Sequence, residues 1–119
     1  MVEHAIHHFE GEQKIILLYL YNWLTNEFGL LPKLKFKIPF YYKNSWICYT
    51  NPLKNGGVEL AFTRGNELLN INNILKANNR KQIKGIAISN LKHTPLFEIQ
   101  QILHEAIILD ETVPYKGRK

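Results

Sequence analysis

Between residues 34 and 43 the chain reads LKFKIPFYYK, with apolar positions alternating with polar or basic ones. Leu34, Phe36, Ile38, Phe40 and Tyr42 fall on one side, and Lys35, Lys37, Pro39, Tyr41 and Lys43 on the other. A period of two marks a half-buried strand. The spacing predicts one strand from Leu34 to Lys43, its apolar face toward a core and its outward face carrying three ammonium groups and a phenol.

The flanking pattern fills in the remaining elements. From Glu12 to Phe28, residues Ile16, Leu17, Leu20, Trp23, Leu24 and Phe28 recur at three- and four-residue intervals, the stripe of an amphipathic helix. Gly29 can take the left-handed closing position and Pro32 prevents continuation. Beyond Asn44-Ser45, a second strand is expected over Trp46 to Thr50, then the Lys54-Asn55-Gly56-Gly57 hairpin loop. A third strand is expected over Val58 to Thr63, with Val58, Leu60 and Phe62 on one face. In the second strand either Trp46 and Cys48 or Ile47 and Tyr49 face outward, and the pattern leaves this open. A short helical turn is expected within the asparagine-rich Glu67 to Asn79, and a fourth strand over Lys81 to Ser89. Thr94-Pro95 reads as a cap and first position of a last helix with Ile99, Ile102, Leu103 and Ala106 inward.

Helix, four strands, helix gives an α+β class, an antiparallel sheet with both helices on one face. The opposite face can then meet water. It would carry Lys35, Lys37, Tyr41, Lys43, Thr63 and Lys81 over a shallow floor of Ala61, Gly85 and Ala87. No repeat or linker interrupts the chain, so one domain over residues 1–119 is expected, its core at 13–111 and its ends, 1–10 and 112–119, flexible.

Charge sharpens this picture. The net +5 is unevenly spread: residues 1–27 carry −3, residues 28–97 carry +9 and residues 98–119 carry −1. A basic centre between mildly acidic ends points to an anionic partner. The abundance of Ile (14), Asn (12) and Lys (12) is also what a nucleotide-biased genome yields without selection for binding. The single Cys48 excludes an internal disulfide and suits a reducing compartment. The longest apolar run is far shorter than the ~20 residues a membrane helix needs. With no basic and apolar leader at the start, a cytoplasmic protein is expected.

Candidate chemistry is sparse. His4, His7 and His8 beside Glu3 and Glu10 could meet a divalent cation, but a mobile, solvated terminus is the simpler account of them. Cys48 lies mid-strand and reads as a buried structural thiol. His104-Glu105 lacks the second histidine of a zinc motif, and no glycine-rich phosphate loop occurs. No catalytic group, metal ligand or cofactor is therefore assigned. The candidate ligand-binding set is Lys35, Lys37, Tyr41, Lys43, Arg64 and Lys81. Lys35, Lys37 and Lys43 would lie in a row at even spacing along one strand, and Tyr41 would offer a stacking surface.

KIPFY (37–41), YTNPLK (49–54), GVELAFTRGNEL (57–68) and RKQIKGIAI (80–88), with their flanking helices, resemble the YdhG-like domains of unknown function. The resemblance covers about residues 13–111. It implies a bacterial α+β sandwich similar to frataxin, related to domains whose sheet has been suggested to bind DNA, and some relatives are described as intracellular iron chaperones. Iron handling of that kind would use an acidic ridge, for which the first helix here offers Glu12 and Glu27.

Three function classes follow. A non-enzymatic module binding an anionic ligand, nucleic acid among the candidates, is the leading expectation. A frataxin-like iron-binding protein is the alternative, and an enzyme acting on a small organic acid is the third, without assignable residues. A monomer or weak homodimer is expected, the dimer through an uncovered sheet edge or the apolar Ile108.

Overall fold

Leu31–Lys35 (β1) and Ile38–Tyr42 (β2) are two strands folded back on each other rather than one continuous strand. The computed structural model, which describes residues 1–115, extends the sheet through Trp46–Pro52 (β3), Val58–Phe62 (β4) and Lys84–Ile88 (β5). Every neighbouring pair is antiparallel and spatial order follows chain order, β1-β2-β3-β4-β5. Three helices complete the α+β architecture: Val2–Ile6 (α1), Gly11–Asn22 (α2), prolonged by a π turn over Trp23–Glu27, and Leu96–Thr112 (α3). No helix among the described residues is long and apolar enough to cross a membrane.

One core joins the helices to one sheet face. Ile16, Leu17, Leu20 and Leu24 pack in the same buried cluster as Val58, Leu60 and Phe62 of β4, Ile88 of β5, and Ile99 and Leu103 of α3. Each such side chain is worth about 1.5–3 kcal/mol in water exclusion. The helical stripe and the β4 and β5 faces are as their periodicities predict, and Gly29 follows the π turn that ends α2 with φ 67°. Gln13 of α2 ties this layer to the β3–β4 hairpin, its amide donating at 2.9 Å to the carbonyls of both Leu53 and Gly57. The predicted Asn55-Gly56 turn is there, with Gly56 at φ 97° and the Asn55 side chain accepting from Gly57 N–H.

Four expectations are corrected. The first ten residues are not all loose, because α1 buries Val2 and Ile6 in the core. No helix forms in the asparagine-rich segment beyond Glu67: a 3-10 turn at Gly65–Glu67 leads into it, and the rest follows an irregular path, with Asn70, Asn73, Asn78 and Asn79 all at positive φ. Thr94 does not cap α3: its hydroxyl donates back to the Asn90 carbonyl, and the helix begins at Leu96. The sheet has five strands, not four. Of the C-terminal end expected to be flexible, residues 116–119 lie outside the described residues.

Candidate functional site

The β1–β2 reversal changes which side chains share a face. Phe36 and Lys37 form the two-residue connection, both in the left-handed region at φ 57° and 64°. Two-residue hairpins of the I′ kind demand this conformation, and Asn-Gly is the usual choice. The register pairs Lys33 with Phe40 and Pro32 with Tyr41. Tyr41 therefore belongs to the helix-covered face and is fully buried beside Cys48. Phe40 emerges on the open face instead. The alternation was real, but its phase in β2 is the reverse of the sequence expectation.

A bulge in β3 settles the face left open there. Tyr41 pairs with Cys48 and Tyr42 with Trp46, so Ile47 is an extra residue without a partner in β2. Ile47 and Cys48 both go into the core, while Trp46 and Tyr49 remain half-exposed. Neither expected pairing occurs. Burial pushes the Cys48 thiol and the Tyr41 phenol well above their ordinary pKa values. Both stay neutral at ordinary pH, as suits structural groups.

The result is an aromatic cluster on the face that no helix covers. Phe40 and Tyr49 stack with centroids 4.6 Å apart and rings 21° from parallel. Trp46 meets Phe40 and Tyr42 edge-on at 5.4 and 5.2 Å. The Lys35 ammonium lies 5.0 Å from the Trp46 ring centroid and 5.4 Å from that of Phe40. These distances are within cation–π range. A groove of about 890 Å³ runs over this cluster, from Lys35, Phe36 and Ile38 past Asn51 and Thr63 to residues 80–83 and Tyr115. That volume is in the range of small-ligand sites.

On the far side the wall is made by the segment before β5. Asn78 and Asn79, both left-handed, turn the chain so that Arg80 reaches back over β4. Its guanidinium grips the Glu59 carboxylate, Nη1 to Oε1 at 3.1 Å and Nη2 to Oε2 at 2.5 Å. The expected shallow floor is thus filled: Glu59 lies against Gly85, which has no Cβ to obstruct it. Burial pushes the Tyr49 phenol upward, while the neighbouring Arg80 charge pulls it down.

Of the six residues expected to bind ligand, Lys35 and Lys81 line the groove, and Lys37 sits in the turn between two lining residues, Phe36 and Ile38. The other three do not line it. Tyr41 is in the core. Lys43 is at the opposite end of β2, roughly 20 Å from the turn by strand rise, and pairs with Glu111 at 3.2 Å. The expected row of three evenly spaced lysines does not exist, because the chain reverses after the first. Arg64 is buried and serves the fold: it bonds both Glu67 oxygens at 2.8 and 2.7 Å and the Val113 carbonyl at 2.8 Å. It also lies 5.5 Å from the Tyr115 ring centroid, fixing that groove wall.

Phe40, Tyr49, Asn51 and Arg80 were not singled out from sequence. Doubled asparagines directly before Arg80-Lys81 were a usable signal of a left-handed turn presenting basic residues. Nothing in Phe36-Lys37 announces a hairpin. Among the described residues, no three His, Cys, Asp or Glu side chains come together as a metal-holding group. Comparison with protein-family models, with curated proteins and with solved structures gives no match for this chain.

Proposed function

We propose that this protein is a non-enzymatic binding module whose open sheet face takes an anionic ligand bearing planar rings, single-stranded nucleic acid being the class the face suits best. One observation carries the reading: the Phe40, Trp46 and Tyr49 rings cluster on a face free of helices, with the Lys35 ammonium over Phe40 and Trp46. Aromatic side chains on an open sheet give bases a surface to stack on, at about 1–3 kcal/mol per base. Lys35, Lys37 and Lys81 stand near this surface without a carboxylate partner among the described residues. Neutralising three phosphates of a single strand gives log affinity a slope near −2 against log salt.

Fluorescence anisotropy with a labelled single-stranded oligonucleotide tests this. Saturable binding with that slope is expected, weakened about tenfold or more by Phe40→Ala and by Lys35→Ala combined with Lys81→Ala. Lys43→Ala should leave it unchanged. Absence of saturable binding at low salt, or equal sensitivity to Lys43→Ala, would overturn the reading.

A further inference from the structure

The connection between β1 and β2 combines two features that folding alone disfavours. Phe36 and Lys37 both take left-handed backbone, at φ 57° and 64°, which side chains other than asparagine and glycine resist. Phe36 is also 82% exposed, so its ring gains nothing from the core. Backbone strain and an exposed aromatic ring on adjacent residues point to a role outside the folded chain.

The surroundings of that ring define what it can meet. Lys33 and Lys35 precede it on one face of β1, paired with Phe40 and Ile38, and Lys37 follows it. None of the three lysines has a carboxylate partner among the described residues. Leu34 lies on the opposite face, by strand alternation. It is 43% exposed, although helices cover that face farther along the sheet. The hairpin end is therefore apolar at its apex and on its back, with cations in between. An oligonucleotide lying in the groove reaches only the face of Lys33 and Lys35 and makes no contact with Leu34. A convex end cannot enclose a small ligand. An anionic bilayer surface meets apex, back and cations together: headgroups take the ammonium groups, and the acyl boundary takes Phe36 and Leu34.

We propose that residues 34–37, the end of the β1–β2 hairpin, form a membrane-surface anchor that inserts Phe36 among anionic lipid headgroups. The anchor stands apart from the groove reading, since Phe40, Trp46 and Tyr49 take no part in it.

Co-sedimentation of the full chain with phosphatidylcholine vesicles, with and without phosphatidylglycerol, tests this. Binding to the anionic vesicles is expected, half-maximal at about 1 mM lipid, with none to neutral vesicles. High salt should release it. Phe36→Asn keeps every charge and suits the left-handed position, so it stays folded and should bind about tenfold more weakly. Lys33→Ala combined with Lys37→Ala should weaken binding about twentyfold. Phe40→Ala, in the groove, should leave vesicle binding unchanged. Phe36→Trp separates insertion from adsorption: brominated acyl chains should quench its fluorescence well beyond that of the unmodified protein. Absence of binding to anionic vesicles overturns the proposal. So does equal binding by Phe36→Asn, or quenching no greater in Phe36→Trp. If Phe36→Asn loses oligonucleotide binding but keeps vesicle binding, the proposal also fails and the ring belongs to the groove.

Discussion

Adding one methyl group at Gly85 tests how the far wall of the groove is held. Gly85 lies on β5 opposite Ala61, and a Cβ there would stand 2.5 Å from Glu59 Oε2 and 2.9 Å from Glu59 Cδ and Cγ. The carboxylate has little freedom to yield, being 8% exposed and held by both terminal nitrogens of Arg80. Overpacking of this kind costs about 1–3 kcal/mol. Breaking a fully buried ion pair costs about 3–5 kcal/mol, but Arg80 is 27% exposed and would regain water. Gly85→Ala should therefore destabilise the fold by about 2–3 kcal/mol, a midpoint shift of roughly 10 °C for a domain of this size. Urea unfolding followed by far-ultraviolet circular dichroism measures it, together with Glu59→Ala and the double variant. In the Glu59→Ala background the methyl group has room, and alanine in a strand interior is better than glycine by about 0.5–1 kcal/mol. The coupling between the two sites should thus reach about 3 kcal/mol. If Gly85→Ala costs the same with and without Glu59, the close approach described here is not what requires glycine.

Replacing Phe36-Lys37 by Asn-Gly relieves two left-handed side chains, so chemical denaturation should show a gain of about 1–2 kcal/mol; a loss would mean that the turn carries no such strain. Arg64→Ala removes three hydrogen bonds from a buried guanidinium and should cost about 2 kcal/mol by the same assay. The Arg64 hydrogen bonds hold the Glu67 carboxyl below its ordinary value of 4.5, so the pair stabilises the fold above that pH and is lost as pH falls through the lowered value. Between pH 5 and about pH 3 the unmodified protein should lose more stability than Arg64→Ala does, and parallel curves would contradict the assignment. Tyr41→Phe deletes a buried hydroxyl whose side-chain neighbour, the Thr50 hydroxyl, makes no well-formed hydrogen bond with it, so stability should change by no more than about 1 kcal/mol in either direction, with oligonucleotide binding unchanged. Weakened binding would return Tyr41 to the ligand face.

The parts of this fold that could be read from sequence are those in which periodicity and punctuation agree. Residues 12–28 have a broad apolar stripe and a glycine stop, β4 alternates cleanly, and Asn55-Gly56 marks its own turn. The candidate site was harder because two irregular backbone features define it. A turn made of phenylalanine and lysine looks like continued strand, and missing it reverses the face of every residue in β2. The bulge at Ile47 then shifts phase once more, so Trp46 and Tyr49 share a face that simple alternation denies them. Composition signalled a basic surface, yet which cations are free depends on partners distant in sequence. Lys43 meets Glu111 and Arg64 meets Val113, and neither pairing is visible before the chain has folded.

The most direct measurement is amide chemical-shift mapping of the isotopically labelled protein, titrated with an unlabelled single-stranded oligonucleotide. Saturating shifts should concentrate at Lys35, Phe40, Trp46, Tyr49, Asn51 and residues 80–83, with Lys43 and the outer faces of α2 and α3 unmoved. Shifts centred on the helices, or none on the open sheet face, would contradict the account.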